Sequence, residues 1–109
     1  MRYALLPADG PALATEADAT GIIGDLYGSD ASTLAIPLAR LASDFWDLKN
    51  RKAGLFIQKL MNYRLRVAFV GDLAAEIARS EALRGYVREC RRGRDVIFVD
   101  RVEDLEALS

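Results

Sequence analysis

Three observations predict that this 109-residue chain folds as an α/β domain with a mainly parallel, four-stranded sheet flanked by helices. Short apolar runs alternate with segments of helical periodicity, and that alternation needs crossover connections. The run "LRVAFV", Leu65 to Val70, is apolar almost throughout, as in a parallel strand covered on both faces. Glycine, proline and capping residues fall between the segments and leave little chain for linkers.

Arg2 to Leu6 reads as the first strand, broken by Pro7 and the Gly10-Pro11 pair. A helix is predicted from Glu16 to Tyr27. Thr15 suits its N-cap, Glu16 and Asp18 suit the positive end of the helix dipole, and Gly28 is placed to close it. Its apolar stripe is Ala19, Ile22, Ile23 and Leu26. Thr33 to Ile36 forms a second strand stopped by Pro37, which has no N–H for a ladder. From Leu38 to Arg51 the spacing of Leu41, Phe45 and Leu48 is helical but interrupted by charge, predicting a loop with one or two helical turns. Lys52 to Tyr63 is a firmer amphipathic helix whose apolar face is Ala53, Phe56, Ile57, Leu60 and Met61.

Leu65 to Val70 is the third strand, and Asp72 to Ser80 is read as an exposed loop. A helix from Glu81 to Arg92 begins at the cap Ser80 and ends before Gly93. Val96 to Val99 is the fourth strand, and Val102 to Leu108 a last amphipathic helix. A chain of this length supports one core, so residues 1–109 form a single domain.

Composition excludes several chemistries. With Cys90 as its sole cysteine the chain forms no internal disulfide, and without histidine a metal site would rest on carboxylates alone. No metal or other cofactor is expected. The first residues lack the apolar core of a signal peptide and no run reaches spanning length, so the expected setting is a reduced cytoplasm away from membranes. The net charge of −1 conceals a division: Leu48 to Arg94 holds twelve basic and four acidic side chains, between two acidic segments. Arginine outnumbers lysine twelve to three, which favours forked contacts with carboxylate or phosphate.

In a parallel sheet, ligands collect beyond the carboxyl ends of the strands. Those ends are Pro37 to Arg40, Gly71-Asp72 and Asp100-Arg101. Asp72 is a candidate contact there, although its side chain also suits capping of the next turn. Ser80 lies at the end of the same loop, without a glycine-flanked elbow or a histidine to activate it. Arg84, Arg88 and Arg91 are spaced four and then three apart, placing all three on one stripe away from Leu83, Val87 and Cys90. That stripe is either a solvated face or a surface for an anion or an acidic partner. Asp47 and Lys49 are candidate contacts in the loop from Asp44 to Arg51. Cys90 reads as a small core residue that would be a redox thiol only if exposed to its arginine neighbours.

The segments "DFWDLKN", "AG", "IQKLMNYRLRVAFVGD", "SEALRGYVRE" and "RGRDVIFV" resemble the bacterial family catalogued as domain of unknown function 4180. The resemblance is strongest over residues 34–99. It implies a fold like the STAS domains of anti-anti-sigma factors and of anion-transporter tails, which are non-catalytic binding modules. Members of the family typically carry a Thr-Gly step where this chain reads Asn50 to Lys52, and commonly a glutamate where Leu55 stands. The corresponding part of a STAS domain holds a phosphorylated serine, whereas no serine or threonine lies between Asp44 and Ser80, so a phosphoswitch of that kind is not expected.

Three classes of function follow. The first is a non-enzymatic, STAS-like regulatory or interaction module, whose loops meet a protein partner or small ligand. Second is nucleotide or nucleic-acid binding through the arginine stripe, which the near-zero net charge does not favour. An enzyme pairing Asp72 with Asp44 or Asp47 is the third. Exposed sheet edges would also allow homo-oligomerisation.

Overall fold

A computed structural model describes residues 2–107 and bears out the α/β prediction. The strands are β1 (Tyr3–Leu5), β2 (Thr33–Pro37), β3 (Arg66–Val70) and β4 (Val96–Val99). They form one sheet in the order β1-β2-β3-β4, every neighbouring pair parallel. The helices are α1 (Glu16–Asp25), α2 (Lys52–Asn62), α3 (Ala74–Arg79), α4 (Glu81–Arg92) and α5 (Glu103–Glu106).

Strand order equal to chain order has a geometric consequence. Each crossover steps one strand in the same direction, and crossovers of one hand then all pass over the same face. Helices α1, α2 and α4 accordingly pack on one side of the sheet. Their apolar residues Ala19, Ile22, Phe56, Ile57 and Leu60 meet Leu34, Ile36, Val67, Phe69 and Val96 in the main core, with Tyr86 and Cys90 at its margin. Phe45 sits in this core at 0 % exposure, its ring edge-on to Trp46 and Phe56 with centroids 5.0 and 5.4 Å away. Such edge-to-face pairs add to the burial itself.

Alternate residues of the strands face the other way. There Ala35 and Ala68 are fully buried under Leu105 of α5, with Tyr3, Val70, Ile97, Val99 and Val102 around them. Thr33 lies on this face at 0 % exposure, and its Oγ1 has no hydrogen-bond partner among the described residues.

Local signals explain most element ends. Thr15 and Asp18 form a reciprocal capping box on α1, Thr15 Oγ1 accepting from the Asp18 N–H at 3.2 Å and Asp18 Oδ2 from the Thr15 N–H at 3.0 Å. These backbone N–H groups of Thr15 and Ala14 hold the Asp18 carboxyl below the usual aspartate range. Helix α1 ends at Asp25 with Leu26 as its C-cap, so Gly28 lies in the following turn, at φ +86, and does not close the helix. The loop after β2 contains two 3-10 turns, Leu38–Arg40 and Leu48–Asn50, as the broken periodicity predicts. Arg51, at φ +66, turns the chain into α2.

The main departure from expectation lies between Asp72 and Ser80, predicted as a loop and found to contain helix α3. Six residues are too few for a periodic stripe, and only the flanking Leu73 and, less deeply, Ile77 reach the interior. The last helix is shorter than expected, and Leu108, at its predicted end, lies outside the described residues. No helix among the described residues is long and apolar enough to cross a membrane.

Candidate functional site

The carboxyl ends of β3 and β4 stop at Gly71 and Asp100. Gly71 has φ +141, and a Cβ there would stand 3.0 Å from Leu38 Cδ1, so only glycine fits this exit without strain. Its N–H still donates to Val99 O at 2.9 Å, keeping the two strand ends in register. Past this point Asp72 Oδ1 accepts from the Ala74 N–H at 2.9 Å and starts α3, as the capping reading foresaw. Ser80 Oγ accepts from the Leu83 N–H at 3.1 Å and starts α4.

Between these strand ends and helices α3 and α4 lies a cleft of about 180 Å³. Its floor is Phe69, Leu73, Val87 and Phe98, and its polar rim is Asp72, Arg91 and Asp100, all three exposed. Asp72 and Arg91 are separate candidates in the sequence and meet here on one rim. Asp100 stands at a strand end in the sequence and is not a candidate there, because only the pairing of β3 with β4 sets the two aspartates on one rim. By itself the cleft is smaller than the roughly 300 Å³ at which small-molecule sites usually begin.

A second groove, of about 240 Å³, continues from it along α4. It is lined by Ile77, Arg84, Val87, Arg88 and Arg91, so the three arginines do lie together. Val87, which the spacing sets on the opposite side, borders the same groove because it neighbours Arg91 and Arg84 on the helix surface. Ile77, Val87 and Arg91 belong to both depressions. Arg79 and Arg92, outside the groove, pair with Glu76 and Glu89. Among the described residues, Arg84, Arg88 and Arg91 make no ion pair. Arg84 reaches back across the groove, its Nη2 3.5 Å from Ile77 O at the end of α3.

The remaining candidates fall elsewhere. Asp47 Oδ1 accepts from the Lys49 N–H at 3.2 Å and caps a 3-10 turn, and neither residue lines the strand-end cleft or the arginine groove. Their neighbour Trp46 borders a depression on the other flank of α3, with Asp72 and Glu76. Of the two carboxylates that the enzyme reading pairs with Asp72, Asp47 is the one that caps the 3-10 turn, and Asp44 already has a cation beside it. Asp44 is bonded to Lys52 Nζ at 2.6 Å, and that ammonium lowers its pKa. Among the described residues no group of three or more carboxylate or thiol side chains is placed to hold a metal ion. Cys90 packs against the core, as its position on α4 predicts, and burial raises its thiol pKa, the opposite of what a reactive thiolate needs.

No curated protein and no solved structure matches this chain. The family model described as a domain of unknown function, DUF4180, matches residues 1–108, well beyond the stretch of strongest resemblance, and the chain therefore belongs to that family.

Proposed function

We propose that this chain is a non-enzymatic, STAS-like binding module acting in the cytoplasm, and that it takes a small ligand or a protein partner at the carboxyl end of its sheet. The observation that carries this reading is the rim on which Asp72 and Asp100 meet Arg91 over an apolar floor. Opposed charges at a strand-end cleft orient a polar group, and the floor accepts an apolar one. Asp72 is engaged as a backbone acceptor and Ser80 as a helix cap, roles that hold a surface in shape and leave neither placed as a nucleophile with a base. The edge strands β1 and β4 offer ladder groups through which a second copy could pair.

The test is retention from an extract of the native host. The purified protein and the Asp72→Asn/Asp100→Asn variant are incubated with extract, washed, and their bound molecules identified by mass spectrometry. A component held by the wild type, lost from the variant and recovered chemically unchanged supports the reading. Equal retention by both proteins, or conversion of the retained component, overturns it.

A further inference from the structure

The arginine groove carries a more specific partner than the cleft that feeds it. Arg84, Arg88 and Arg91 are exposed, share one stripe of α4 and have no carboxylate partner among the described residues, although Arg79 and Arg92 nearby do. Four-then-three spacing spreads them over about 10 Å of helix axis, two turns. Between the stripe and α3 the floor is Ile77 and Val87. An occupant must therefore bring carboxylates at matching intervals and an apolar strip between them.

We infer that the α3–α4 groove docks an acidic amphipathic helix of a protein partner, its carboxylates engaging Arg84, Arg88 and Arg91 and its apolar side chains seated on Ile77 and Val87. A nucleic acid fits less well. Its backbone has no apolar strip for this floor, and among the described residues no aromatic side chain lines the groove to stack a base. The chain's net charge of −1, with acidic segments on both sides of the basic block, also repels an extended polyanion. A short acidic helix meets only the groove. This inference rests on the reading of the strand-end cleft as the binding surface, with which the groove shares Ile77, Val87 and Arg91, and names a partner class for that surface.

The probe is a synthetic helical peptide with glutamates at the same four-then-three spacing around a leucine strip, measured by fluorescence anisotropy against the intact chain. Matched peptides carry glutamine or lysine at the glutamate positions. Arg88→Glu/Arg91→Glu is the variant of choice, since Arg84 also braces α3 and is left in place. Both substituted residues are exposed, so an unchanged melting temperature should certify the fold. The glutamate peptide is expected to bind, more weakly as salt rises. Its Kd should rise at least about tenfold in the variant, and the lysine peptide should bind the variant better than the wild type. The inference is overturned if the glutamine peptide binds equally, if charge reversal changes nothing, if a single-stranded oligonucleotide binds more tightly than the peptide, or if no peptide binds. A failed peptide alongside extract retention that depends on Asp72 and Asp100 would remove the acidic helix and leave the strand-end cleft standing.

Discussion

The two faces of the sheet are built on opposite plans. On the face under α1, α2 and α4, the strands present Leu34, Ile36, Val67 and Phe69, each at most 1 % exposed. On the other, β2 and β3 present alanine at their paired positions, Ala35 and Ala68, and the four-residue helix α5 seats Leu105 on them. Large side chains hold helices at a distance filled by aromatic and branched residues, whereas alanine lets a short helix settle close to the backbone. Most of the burial, and so most of the hydrophobic stabilisation, lies on the first face. The second depends on closeness of fit.

Three substitutions break or sharpen this contrast. Phe69→Ala, at the centre of the aromatic cluster with Phe45, Trp46 and Phe98, should cost about 3–5 kcal/mol in urea unfolding, because the rings around it cannot close the cavity. Ala68→Leu adds bulk on the thin face directly beneath α5 and should cost about 1–3 kcal/mol, despite being more apolar. If it stabilises, the close-fit account of that face is wrong. Smallest, and opposite in sign, is Thr33→Val. It removes a buried hydroxyl that has no partner among the described residues while keeping the shape, and should raise stability by about 1 kcal/mol in the same assay. A loss of stability there would mean that the hydroxyl is satisfied in solution.

Much of this was legible in the sequence. "LRVAFV" marks a strand covered on both sides, and Thr15, Ser80 and Asp72 each make the capping bond their residue type suggests. Arg84, Arg88 and Arg91 share a stripe because helical periodicity alone puts them there. Helix α3 was missed for a physical reason. Its six residues, "AAEIAR", carry one apolar side chain larger than alanine, and the anchoring Leu73 lies outside the helix, so no periodic signal marks it. Asp47 and Lys49 were singled out by charge in a loop. The structure uses Asp47 to cap a turn, which a short-range pattern cannot distinguish from a contact role.

By itself the sequence determined what depends on neighbours along the chain: the alternation of strands and helices, the parallel class of the sheet, the caps and the arginine stripe. Tertiary structure alone decided the strand order β1-β2-β3-β4, the gathering of the three main helices on one face, and the meeting of Asp72, Arg91 and Asp100 on one rim. Periodicity is a local property that repeats within a few residues. Which strand lies beside which is settled by contacts between residues far apart in the chain, and those leave no periodic trace in any one segment.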